Sequence, residues 1–180
     1  MQRTTIALVI TFGLVGCQAS SPSGPEFQPL LTSIEQRLDL ATSVAVHKWD
    51  HQLPVEAPER ERQVLSGVQE MAPDYNLSPE RAAAFFADQI EANKLIQYTL
   101  RDRWTVLGQR PPAAPLDLAS QIRPRLDKLQ ATLLFKLARF DRHKYPDCRQ
   151  ALAHALAGRT NDPVRHQALV RATTQLCVEH

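Results

Sequence analysis

Apolar residues recur at Leu30, Ile34, Leu38, Ala41, Ala45 and Trp49, and neither proline nor glycine interrupts the chain from Leu30 to Leu53. This spacing gathers the apolar side chains on one stripe of a helix and lacks the alternation that a strand requires. A stripe that long must be covered by other helices, and the rest of the chain supplies them. Pro54 ends the first helix, and after Pro58 a second runs through Arg60, Val64, Leu65 and Val68 to about Met71. Ser78 is an N-cap followed by Pro79, which launches a long third helix reaching about Leu107. Gly108 through Pro115 is a Pro-rich connection. Asp117 then opens a fourth helix to about His143, with Pro124 a candidate kink in its second turn. Two shorter helices are expected from Asp147 and from Asp162-Pro163, each begun by an aspartate cap. No segment has strand periodicity and no internal repeat appears. The expected fold is all-α, a bundle of about six helices, three of them long.

The N-terminal stretch has another character. Arg3 precedes an apolar run from Ile6 to Val15, with small residues behind it, which is the anatomy of an export signal. The run is too short to span a bilayer as a mature helix. Its end, Leu14-Val15-Gly16-Cys17, resembles the lipobox at which bacterial lipoproteins are cleaved and acylated on the new N-terminal cysteine. Gln18 would then suit outer-membrane sorting. The other reading is an ordinary secretory signal cut near Ala19 or Ser20. Either way residues 1–19 form a signal, the chain leaves the cytoplasm for the periplasm, and Ser/Pro-rich residues 20–29 form a flexible tether. Three cysteines are an odd number. With Cys17 lipidated or removed, Cys148 and Cys177 remain as a pair in an oxidising compartment, where a disulfide is expected over two buried thiols.

Twenty-one basic against nineteen acidic residues leave a net charge of +2, too little for a nucleic-acid-binding surface. The informative charges lie on helix faces that otherwise look buried. Arg37 and Lys48 are about three turns apart and project from one face of the first helix. Asn93 and Gln97 are one turn apart on the third helix among Ile90, Leu95 and Ile96, and a buried amide pair needs partners. The second helix begins Glu59-Arg60-Glu61-Arg62, which offers a further cation and carboxylate or else a solvated charged face. Several arginines, a lysine, a glutamate and two amides suit a small molecule with two carboxylates and a hydroxyl, because arginine grips carboxylate bidentately. No serine elbow, cysteine–histidine pair with a free thiol, or glycine-rich phosphate loop accompanies them. His47 and His51 are spaced as metal ligands, but Lys48 stands where the zinc-protease pattern requires glutamate.

Arg37, Val46-His47-Lys48-Trp49, Gln52-Leu53-Pro54, Arg60-Glu61, Asp88-Gln89-Ile90, Asn93 and Gln97, taken in this order and spacing, resemble the helical AroQ-type chorismate mutases. The resemblance runs from about Leu30 to Cys177 and is nearest the exported gamma subclass, which has a disulfide-linked C-terminal helical extension. It implies a mutase domain over residues 30–180, with catalytic helices in 30–107 and the extension in 117–180. The implied activity is the rearrangement of chorismate to prephenate, a step of phenylalanine and tyrosine biosynthesis, with no cofactor and no metal. Carried over, Arg37 binds a substrate carboxylate. Lys48 and Gln97 donate to the ether oxygen, Arg60 completes the anion site, Glu61 holds the ring hydroxyl and Asn93 contacts a ring carboxylate. A fourth-helix arginine replaces one that cytoplasmic relatives take from a partner subunit. Arg123 matches best, with Arg125 the alternative across Pro124. The exported subclass also implies a homodimer with a complete site in each chain.

Two positions depart from the family pattern. Ala57 stands where relatives often carry aspartate, leaving hydroxyl recognition by that loop to backbone groups. Gln97 stands where some exported relatives carry a glutamate that must be protonated to donate, whereas an amide donates at any pH. The alternatives are an isochorismate-pyruvate lyase on the same scaffold and a non-catalytic helical envelope lipoprotein, for which the charged residues would have no reason to converge.

Overall fold

The computed structural model describes residues 27–177. The signal, Cys17 and the tether up to residue 26 lie outside the described residues. Six α-helices follow one another: α1 Phe27–Asp50, α2 Pro58–Met71, α3 Pro79–Leu107, α4 Arg123–Asp141, α5 Cys148–Leu156 and α6 Pro163–Ala172. No strand occurs among the described residues. α3 is central: α1 and α2 pack against it, α6 packs along it, and α4 closes the bundle over α1. The core joins Leu30, Leu31, Ile34 and Leu38 of α1, Phe85 and Phe86 of α3, Leu133, Leu134 and Leu137 of α4 and Leu169 of α6, all fully or almost fully buried. One continuous apolar core thus spans the catalytic helices and the C-terminal extension.

The helix ends refine the sequence expectations. The described part of α1 includes Phe27, so residues 27–29 belong to the helix and not to the tether. The Phe27 ring is buried against Phe140 and Tyr145, with centroids 5.0 and 4.9 Å away, and this packing extends the helix by most of a turn. Pro29 is tolerated in that first turn, where a backbone N–H has no intrahelical acceptor to lose. α1 ends at Asp50, before Leu53. Gln52 takes a left-handed conformation (φ 54°), Leu53 N–H bonds to the Lys48 carbonyl at 2.8 Å and Gln52 N–H to the Trp49 carbonyl at 3.2 Å. This pair of bonds is the Schellman stop, and it turns the chain into the loop preceding α2.

Ser78 caps α3 by accepting the Arg81 N–H, and Asp162 caps α6 by accepting the Val164 and Arg165 N–H groups. Asp147 does not cap α5 as expected. Its side chain makes no capping bond, and a backbone turn from Cys148 N–H to the Tyr145 carbonyl leads into that helix. Asp117 receives the Ser120 N–H as foreseen, but opens a π turn, Leu118–Ile122, before the regular helix. Pro124 accounts for the turn: it has no N–H to donate, and its ring would collide with the Ser120 carbonyl in a regular α-helix.

The extension is held by buried polar groups of α3. Arg81 forms a two-bond pair with Asp141 at 2.8 and 2.9 Å and donates to the Gln175 and Leu176 carbonyls. Asp88 accepts from Arg171 and from Gln175 N–H, and Gln89 donates to the Ala172 carbonyl at 2.6 Å. Gln89 thus satisfies a carbonyl at the end of α6, while Arg81 and Asp88 satisfy carbonyl and N–H groups of the segment that follows it. The Cys148–Cys177 disulfide is present and closes the extension. With a sequence separation of 29 residues, loop closure in the unfolded chain contributes about 3–4 kcal/mol. The double variant Cys148→Ser/Cys177→Ser should therefore unfold at a lower temperature and lose about that much stability in denaturant titration; an unchanged midpoint would refute a stabilising role for the bridge.

Candidate active site

A cavity of about 120 Å³ opens between α1, the α1–α2 loop, α2, α3 and the start of α4. α1 sends Arg37 and Lys48 into it, as their three-turn spacing predicts, together with Val44. α2 supplies Arg60, Glu61 and Val64; α3 supplies Ile90, Asn93, Lys94 and Gln97; the π turn and α4 supply Leu118, Arg123, Leu126, Asp127 and Gln130. All seven side chains expected at the site, Arg37, Lys48, Arg60, Glu61, Asn93, Gln97 and Arg123, line this one cavity. Of the two α4 arginines, Arg123 lines the cavity, whereas Arg125 is exposed and does not. Arg62 and Glu59 form an exposed pair one turn apart, the solvated face that was the other reading of that segment. The His47 and His51 rings lie 4.3 Å apart outside the cavity lining, and no group of three or more metal-ligating side chains occurs among the described residues.

Three residues were missed. Lys94 follows Ile90 and Asn93 on the i, i+3, i+4, i+7 pattern that ends at Gln97, so helical spacing alone could have placed it. Asp127 lies one turn beyond Arg123 on the same principle and pairs with Arg60 at 2.7 Å. The third is Val55, whose carbonyl accepts the Lys48 ammonium at 2.5 Å. No pattern could have found that contact, because it depends on where the Schellman turn sends the loop.

Five lining cations face two lining carboxylates, Glu61 and Asp127. The surplus shows in the ionisation of the buried groups. Burial, then the nearby Arg60, push Arg37 down to about 10, with Asp127 pulling the other way. Burial also lowers Lys48, opposed by Glu61 and Glu56. Arg37 Nε, Asn93 Nδ2 and Gln97 Oε1 are buried without a partner, while Gln97 Nε2 donates to Asn93 Oδ1 at 2.7 Å. Buried polar groups are normally paired. Two of the unpaired atoms, Arg37 Nε and Asn93 Nδ2, are donors that an anionic guest satisfies, whereas Gln97 Oε1 is an acceptor that calls for a donor such as a hydroxyl.

Sequence and structure comparisons agree with this geometry. The profile of the family described as chorismate mutase type II matches residues 28–98. A secreted chorismate mutase of Mycolicibacterium smegmatis is 30% identical over 96% of this chain and 98% of its own length. The chain belongs to the type II chorismate mutases. A secreted chorismate mutase of Mycobacterium tuberculosis is 27% identical over 97% of this chain and 92% of its own. The crystal structure of a chorismate mutase from Burkholderia phymatum superposes with a TM-score of 0.84 at 36% identity, covering 89% of this chain and all of that one. The profile match ends within α3, so the wall that carries Arg123 and Asp127 belongs to the part of this chorismate mutase chain beyond it.

The direction of the Lys48 shift sets a pH dependence. An arginine guanidinium stays charged across the working range, neither amide titrates, and burial holds the Lys48 ammonium below its ordinary range. Binding and turnover of a dicarboxylate substrate should hold around neutral pH and weaken in the alkaline range as Lys48 loses its proton. Initial rates across this range, with circular dichroism to exclude unfolding, check this; a collapse between mild acid and pH 8 in folded protein would contradict it.

Proposed function

We propose that the enzyme converts chorismate to prephenate in this cavity by restraining the substrate and stabilising its transition state. The observation that carries the reading is the convergence of Arg37, Lys48, Arg60 and Arg123 with the Asn93–Gln97 amide pair on one partly buried space. The rearrangement is unimolecular and pericyclic, and needs no acid, base or nucleophile from the protein. The ring folds under the enolpyruvyl side chain, one C–O bond breaks as a C–C bond forms, and negative charge grows on the ether oxygen. Arg37, Arg60 and Arg123 clamp the two carboxylates in the folded conformer. Arg60 is pre-aimed by Asp127. Lys48, steadied by the Val55 carbonyl, and Gln97 stabilise the ether oxygen. Gln97 has two amide hydrogens; Asn93 holds one, and the other serves the substrate.

Glu61 takes the ring hydroxyl, and Asn93 contacts a ring carboxylate. The Ala57 departure is met in the way the backbone allows: the Ala57 N–H donates to Glu61 Oε1 at 3.1 Å, so the loop aims the glutamate and adds no carboxylate to the cavity lining. The seven expected side chains, Arg123 of α4 included, line the cavity without any contribution from a second chain being needed to complete the set. A homodimer of the kind the resemblance implies would thus carry a complete site in each subunit.

The relatives named as secreted support export of this protein, and the Leu14-Val15-Gly16-Cys17 sequence supports a lipid anchor on Cys17 in the periplasm. Expression in a Gram-negative host with labelled palmitate should label the protein and not its Cys17→Ser variant; an unlabelled, freely soluble wild type would favour the ordinary signal.

Lys48→Ala and Arg37→Ala should remain folded while kcat/KM falls by about 10²–10³, the usual cost of removing a preorganised donor. Loss of chorismate absorbance, with prephenate identified after acid conversion to phenylpyruvate, measures this and separates the mutase from the lyase reaction. Wild-type rates in either variant would refute its assignment.

A further inference from the structure

Lys94 differs from the other cations of the cavity in how its charge is used. Its ammonium is shared by three carboxylates on three segments: Glu91 of α3 at 2.6 Å, Glu56 of the α1–α2 loop at 3.0 Å and Glu61 of α2 at 3.3 Å. Arg60 has one carboxylate partner, and Lys48 has a backbone carbonyl. A single substrate carboxylate would have to displace three existing partners to take Lys94, whereas Arg37 has a buried N–H still without one. Burial alone would lower the lysine, but the bonds from Glu91, Glu56 and Glu61 outweigh it and hold the ammonium well above its ordinary range. Lys94 is therefore a fixed cation at any working pH.

The two oxygens of Glu61 are then accounted for separately. Oε1 accepts the Ala57 N–H, and Oε2 faces Lys94. A carboxylate has about four lone-pair sites, so this arrangement sets the plane of the group and leaves acceptor capacity directed elsewhere. Glu56 is treated similarly, with Tyr98 on one oxygen at 2.6 Å and Lys94 on the other. The loop carrying Glu56 roofs the cavity with Val55 and Ala57. It is anchored independently by Lys48 on the Val55 carbonyl and by Arg101 on the Leu53 carbonyl at 2.5 Å. Loss of Lys94 should therefore leave the loop in place and free mainly the Glu61 carboxylate.

We propose that Lys94 is a positioning residue for the rearrangement, orienting the Glu61 carboxylate, together with the Ala57 N–H, toward the ring hydroxyl of the substrate. The inference rests on the assignment of Glu61 to that hydroxyl. A hydroxyl bond made alike in ground and transition states appears in KM and not in kcat. Lys94→Met should raise KM for chorismate about tenfold, the scale of one hydrogen bond to a charged group, with kcat within about threefold of wild type. Lys94→Arg should recover most of the loss.

The decisive measurement is a double-mutant cycle with Glu61→Gln, with the thermal midpoint of each variant recorded. If Lys94 acts through Glu61, the double variant should be no worse than Glu61→Gln alone. A Lys94→Met enzyme with wild-type KM beside an impaired Glu61→Gln enzyme would overturn the proposal and leave the Glu61 assignment standing. Losses that multiply would do the same. A Glu61→Gln enzyme with wild-type kinetics would instead remove the Glu61 assignment, and the proposal with it.

Discussion

Five like charges gathered in one partly buried cavity repel one another and lose much of their hydration, and the rest of the structure must hold them there against that cost. Removing an ion from water costs several kcal/mol even after relaxation. The protein offsets part of it with Glu61 and Asp127 on the lining and with Glu56 and Glu91 behind Lys94. It leaves the remainder uncompensated around Arg37, which is buried close to Arg60 with its Nε unpartnered. A dianionic substrate closes that deficit. Ground-state strain of this kind is tolerable only on a rigid frame, which explains why the site is built on long helices and not on loops.

α3 carries both halves of this arrangement on different faces. Ile90, Asn93, Lys94 and Gln97 line the cavity, while Arg81, Asp88 and Gln89 bond the end of α6 and the segment behind it. The extension also reaches back to α1, where Arg159 pairs with Glu35 at 2.7 Å. Polar residues that do no chemistry thus fix the axis on which the chemical ones are mounted. A change at Asp88 or Arg81 would act on catalysis through the placement of α3, by a route different from a change at Gln97. The disulfide secures the same segment covalently, in keeping with a protein that works outside a reducing cytoplasm.

Much of the site was legible in the sequence because it is built from helix spacings. Arg37 and Lys48 share a face by the arithmetic of a helical turn, as do Asn93 and Gln97, and the family resemblance supplied the remaining partners in order. The same arithmetic would have found Lys94 and Asp127, but both look like ordinary solvated charges until the facing helices are in place. Asp147 misled because an aspartate before a helix is only a candidate cap; its side chain must also reach an N–H, and here the backbone turn from Tyr145 takes the role.

What the sequence determined by itself was the helical class, the order of the helices, the pairing of Cys148 with Cys177 and the residues able to bind an anion. These follow from local periodicity, proline placement and residue chemistry, all of which are properties of short stretches of chain. What only the tertiary structure decided was which charges face one another across helices. The Val55 carbonyl on Lys48, the three carboxylates around Lys94, the placing of Arg123 and not Arg125 on the cavity lining and the packing of Phe27 against Phe140 and Tyr145 depend on loops and packing between segments far apart in the chain. Contacts of that kind leave no periodic trace, because their geometry is set by how the helices dock and not by the residues flanking each partner.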